Sequence, residues 1–143
     1  MTVLILGMMI GFMIFFPLVI APTIFRTLSE EQAGKILRIF FPKYYLFGIV
    51  LSVIGLGSSY YQADNISLLS FIFLFITFTY SRQILMPAIN KAKDDFSEKN
   101  EIAKLQFNRL HMFSVLINFI QLILCLCLIL NIFFLNYSFK MSL

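Results

Sequence analysis

Five residues in the last third of the chain could bind or relay a small polar group. They are His111, Ser114, Asn118, Gln121 and Cys125, spaced three, four, three and four. At 100° per residue a helix gathers all five inside an arc of about 80°. An imidazole, two amides, a hydroxyl and a thiol in one line offer donors and acceptors to a solute or ion. The same line can instead tie a bundle together through interhelical hydrogen bonds. Catalytic chemistry is harder to find. The single His rules out a haem held by two axial histidines within one chain. Met112 points about 100° away from His111, so the two do not share an ion. Met9 and Met13 share a helix face and offer soft sulfur suited to copper(I), although thioethers also fill gaps in apolar packing. Cys125 and Cys127 point about 200° apart, so they neither bridge one another nor chelate together. No nucleophile–base pair, paired carboxylate or phosphate-binding glycine loop is present. No catalytic, cofactor-binding or metal-binding residue is assigned, and neither an enzyme nor a cofactor is expected.

The elements that position these residues follow from composition. The chain is 60 % hydrophobic and 13 % charged over 143 residues, with a mean hydropathy of +0.91. Soluble domains carry about a quarter charged residues, so a soluble globule is excluded, as is a disordered chain. A membrane-crossing helix needs about 20 mostly apolar residues. Four stretches qualify: Thr2–Phe25, Pro42–Tyr61, Ile66–Met86 and Leu110–Leu135. The expectation is one all-α domain over 1–143, a polytopic membrane four-helix bundle whose fourth span carries the polar line. Asn118 then sits about 12 Å into that span and Gln121 about 16 Å. That is near the midplane, where an unpaired polar group costs several kcal/mol.

Charge sets the orientation. Of the 11 basic residues, Arg26, Lys35, Arg38, Lys43, Arg82, Lys91, Lys93, Lys99, Lys104 and Arg109 fall on one side and only Lys140 on the other. By the positive-inside rule both termini are outside and both long connections are cytoplasmic, as in a bacterial inner membrane. The basic residues flank apolar runs instead of forming one face, so the partner is the lipid bilayer and not nucleic acid. The first span lacks a basic start and is read as retained, not as a signal peptide.

The cytoplasmic pieces read as short surface helices. Ser29 and Gln32 form a capping box, followed by an apolar stripe of Ala33, Ile36, Leu37, Phe40 and Phe41, with Pro42 opening the second span. Ser97 can cap a helix running into the fourth. Arg82, about one turn inside the third span, can snorkel to lipid phosphates, pair with Glu30 or Glu31, or meet the polar face of the fourth. Pro17 and Pro22 predict a kink in the first span, which can free a carbonyl for an ion or hydroxyl. Gly7 and Gly11, and Gly48, Ser52, Gly55 and Ser59, are small residues at close-packing spacing. They suit self-association or packing inside one bundle.

Several motifs together resemble the transmembrane protein 205-like family of small four-span membrane proteins. They are Pro22-x-x-Phe25-x-x-Leu28, Ala33-Gly34, Tyr44-Tyr45, Arg82-x-x-x-Met86-Pro87-x-x-Asn90 and Phe107-x-x-Leu110-His111-x-x-Ser114-x-x-x-Asn118. The resemblance covers nearly the whole chain and implies four membrane helices with no established chemical activity. More distantly, the architecture is similar to four-span copper-resistance proteins and a membrane protoporphyrinogen oxidase. Those relatives use histidines in the first span, where this chain has none. The function expected is binding or conduction of a small solute or ion along the polar face. The alternatives are a structural or accessory subunit of a membrane complex and a haem- or copper-linked protein.

Overall fold

The structure, a computed structural model, describes residues 1–95 and 101–141, with side chains as far as Phe134. Ser97 and Lys99 lie outside the described residues. No strand occurs among those described, and four helical rods are long and apolar enough to cross a membrane. The first rod is α1 (Thr2–Phe15), a π turn (Phe16–Ile20) and α2 (Ala21–Thr27). The second is α3 (Glu30–Tyr61). The third is α4 (Asn65–Tyr80), a π turn (Ser81–Leu85) and α5 (Met86–Asp94). The fourth is α6 (Glu101–Met141). Around the bundle, α1 touches α3 and α6, α3 touches α4, and α4 and α5 touch α6. This arrangement sets α3 and α6 diagonally opposite.

Proline chemistry accounts for both π turns. Pro22 and Pro87 each fall two residues past the end of one. A proline ring inside a helix clashes with the carbonyl four residues back, here Leu18 and Gln83, and a widened turn relieves the clash. The N–H of Ala21 accordingly reaches back five residues to the Phe16 carbonyl, and that of Met86 to the Ser81 carbonyl. The kink expected at Pro17 is therefore a π turn that contains Pro17, after which the helix continues.

Pro42 acts differently from the expectation. The Ser29 capping box is present, with the Ser29 side chain accepting from the Gln32 N–H and Gln32 accepting from the Ser29 N–H. The helix it starts does not end at Pro42 or lie apart in the membrane surface. Glu30–Phe41 forms the opening turns of α3, with Pro42 in the helix interior. It stays aligned because it is held sideways. Ala33 is fully buried, Lys93 donates to Glu30 at 2.8 Å, and Arg38 pairs with Asp94 of α5. At the opposite end Ala63 takes a left-handed φ of 52° in the tight turn, and Asp64 caps α4 by accepting from the Ser67 N–H at 3.1 Å.

Small residues bring α3 and α4 together. A Cβ on Gly48 would lie 2.6 Å from the Phe78 ring, and one on Gly55 would press into Phe71. Both rings are fully buried, as are Ser52 and Ser59. Gly48 and Ser52 thus take part in packing within the chain. Gly7 and Gly11 differ, being exposed with nothing near a Cβ. Gly48→Ala and Gly55→Ala should each destabilise the detergent-solubilised protein by about 1–3 kcal/mol through overpacking. Gly7→Ala and Gly11→Ala should leave it unchanged or slightly more stable, because alanine favours helix. Thermal unfolding of the four variants checks this, and equal losses at all four would contradict the packing.

Candidate functional site

The diagonal between α3 and α6 is bridged by side chains. Neighbouring Tyr44 and Tyr45 both reach toward α6. The Tyr44 hydroxyl donates to Asn118 Oδ1 at 3.3 Å, and Asn118 Nδ2 donates to the Tyr45 hydroxyl at 3.3 Å. Asn118 Nδ2 also donates to the Ser114 carbonyl one turn back at 2.9 Å, and the Tyr45 hydroxyl shares a 3.0 Å bond with Ser114 Oγ. Tyr45 is 1 % exposed. Two tyrosines, an amide and a hydroxyl so satisfy one another.

The remaining residues of the polar line disperse. Gln121 is fully buried and turns to α4, donating through Nε2 to Thr77 Oγ1 at 2.7 Å. Thr77 in turn donates to the Phe73 carbonyl, so it serves Gln121 as acceptor. Gln121 Oε1 has no protein partner. Cys125 lies in the apolar core. His111 is exposed and stacks on Phe107, with ring centroids 5.9 Å apart. Arg82 bonds neither Glu30, Glu31 nor the polar face of α6. It is half-buried, and its Nε donates to the Pro42 carbonyl at 3.2 Å. Glu30 and Glu31 are engaged elsewhere, with Lys93 and Lys35.

Beside the tyrosine–asparagine bridge lies a cavity of about 260 Å³. Met13, Phe16 and Pro17 wall it from the first rod, Phe41 and the tyrosines from α3, Met86 and Ile89 from α5, and the His111–Leu122 face from α6. The Phe16 π turn lies directly on it, and π turns are frequent at functional sites. The cavity is apolar except where Tyr44, Tyr45, Ser114, Asn118 and His111 approach it. A second cavity of about 330 Å³ adjoins it toward α2 and the α3 start, and its rim carries Glu30, Arg38 and Lys93. The Lys93 ammonium lies 5.4 Å over the Phe107 ring.

The rim ion pairs lie outside the apolar stretches Pro42–Tyr61 and Ile66–Met86 and shift their own titrations. The hydrogen bond from Lys93, then its charge, holds the Glu30 carboxyl below its usual range. The hydrogen bond from Arg38 does the same for Asp94. Carboxyl groups depressed in the fold contribute stability above the ordinary carboxylate range, and that contribution is lost as pH falls through the depressed values. Among the described residues no three His, Cys, Asp or Glu side chains come together.

Composition could not single out Tyr44, Tyr45 or Thr77 as partners of the fourth span. Tyr44-Tyr45 entered only through the family resemblance. Thr77 carried a readable signal, a hydroxyl within an apolar span, and it meets Gln121 of the polar line.

Four apolar helices around a satisfied polar bridge define an all-α protein whose helices suggest membrane insertion. Residues 4–98 match the family described as a domain of unknown function, DUF4149, and the chain belongs to that family. No curated protein and no solved structure matches it.

Replacing Asn118 with Leu keeps volume but leaves Tyr44 and Tyr45 short of a partner at a cost of about 1–3 kcal/mol. The same change at exposed Asn131 should be nearly silent. Tyr45→Phe should resemble Asn118→Leu, and the double variant should lose less than the sum, because both remove one network. Unfolding in detergent measures all four, and equal effects at 118 and 131 would refute the bridge.

Proposed function

We propose that this is a non-catalytic integral membrane protein of transmembrane protein 205-like type that takes a small, mostly apolar solute from the bilayer into the cavity beside Asn118. The cavity itself carries the reading. It is a pre-formed recess of about 260 Å³ whose polar groups come from the fourth-span line and from the two tyrosines of α3 that bond to it. Apolar recesses with a few placed polar groups are the usual form of small-ligand sites. Because the Asn118 amide and the hydroxyls of Tyr44, Tyr45 and Ser114 already satisfy one another, the wall can accept an apolar body without leaving one of these groups unpaired.

The chain holds no Trp, so a single introduced indole reports cleanly. Phe119→Trp, on the cavity wall, should be quenched saturably by a bromoalkane in detergent. Ile120→Trp, at equal depth and about 200° around the helix from Asn118, should show only linear, non-saturable quenching. Adding Val115→Phe to the first variant fills the recess and should abolish saturation. Saturation that survives Val115→Phe, or that Ile120→Trp shares, refutes cavity binding.

The proposed placement is a bacterial inner membrane with termini outside and both long connections cytoplasmic, supported by the ten-to-one bias of basic residues. In a Cys-free background, Asp64→Cys should label from outside and Asp95→Cys only after permeabilisation. Labelling of position 95 in intact cells refutes the orientation. A second reading, an accessory subunit, is supported by Gly7 and Gly11 standing open on the outer face of α1. It requires a partner that shields those two positions from cysteine-directed labelling.

A further inference from the structure

Phe41, Met86, Ile89 and His111 wall both cavities, so the two adjoin end to end and can take one elongated occupant as a single groove. Along α6 the inner half runs from Leu122 to His111, about 16 Å, and the outer half continues to Phe107, about 22 Å in all. One leaflet of hydrocarbon is about 15 Å deep, half of a core about 30 Å thick. The apolar half therefore has the depth of one leaflet, and charge begins where headgroups would begin. A water-soluble solute has no use for so long an apolar section.

The charged half is electrically balanced. Lys93 of α5 donates to Glu30 of α3, while Arg38 of α3 pairs with Asp94 of α5. The two pairs cross between the same helices in opposite senses. An anionic headgroup entering between them would displace a carboxylate and leave it without compensation. A headgroup carrying both signs can replace each broken contact, with its phosphate toward Arg38 and Lys93 and its ammonium toward Glu30.

Building on the cavity reading above, we infer that the occupant of this groove is one zwitterionic phospholipid. One acyl chain lies beside Tyr44 and Asn118, and the headgroup lies at Glu30, Arg38 and Lys93. The lipid enters sideways from the leaflet that contains the charged end of the bundle, and its chain fills the recess that the π turn at Phe16–Ile20 helps to shape.

Native mass spectrometry of the full chain, delipidated and then offered equal amounts of phosphatidylethanolamine and phosphatidylglycerol, tests this. One lipid should be retained per chain, with the zwitterionic lipid enriched about five-fold, the range open to solvent-exposed charge pairs. Glu30→Gln leaves a rim cation uncompensated and should abolish or invert that preference. Val115→Phe should lower retention of either lipid. Retention without headgroup preference, or a preference unmoved by Glu30→Gln, overturns the headgroup assignment and leaves the cavity reading standing. Retention unchanged by Val115→Phe, together with no saturable bromoalkane quenching, overturns both.

Discussion

The arrangement depends on one constraint, that a polar group buried in hydrocarbon must find its partner inside the protein. Asn118 meets it by turning to α3 instead of to an adjoining helix. Because α3 and α6 stand diagonally across the bundle, a short side chain could not span the gap. Two tyrosines do so, each delivering a hydroxyl at the end of a long rigid ring, and their 3.0–3.3 Å bonds set the distance between the helices. Rings hold that diagonal apart as well as together. The cavity is the space beside them that the rings do not fill.

Close approach elsewhere makes this separation possible. Gly48 and Gly55 admit Phe78 and Phe71, so α3 and α4 lie tight against each other over two turns. The prolines then act at a different level. The first and third rods run in the same direction from the same end, and their π turns begin 14 and 16 residues in, at Phe16 and Ser81. Widening both helices at matched depth moves Phe16 and Met86 to opposite walls of the recess. Arg82 belongs to this region too. Its bond to the Pro42 carbonyl places a cation on the α3 backbone within the stretch where Pro42 removes a donor.

Much of this was legible in sequence, for identifiable reasons. Span count follows from apolar run length, which the bilayer dictates. The fourth-span face follows from a strict 3.6-residue period, and the Ser29 cap from local chemistry three residues long. What escaped depended on partners far away in the chain. Arg82 bonds a backbone carbonyl, which carries no residue identity to read. Pro42 stays inside α3 because ion pairs to α5, more than fifty residues away, hold the preceding turns in line. Gly48 and Ser52 look the same in sequence whether they face another copy or Phe78. Of the polar line, Ser114, Asn118 and Gln121 turn to partners on other helices or their own backbone inside the bundle. The period could not say that Gln121 would choose Thr77 while His111 stayed outside.

That division of the line decides what the recess can recognise. Ser114 and Asn118 are consumed by the tyrosines, so the wall they form is polar in composition but saturated in hydrogen bonding. A saturated wall rewards shape and apolar surface more than it rewards a donor or acceptor on the ligand, since an added polar group would have to displace a bond already made. Open capacity lies elsewhere. Gln121 Oε1, buried and without a protein partner, can serve only a donor small enough to reach it past the packed core. His111 stands at the junction of the two cavities with its ring stacked and exposed. Discrimination by shape therefore belongs to the deep half of the groove, and discrimination by charge to the rim, where Glu30, Arg38 and Lys93 stand.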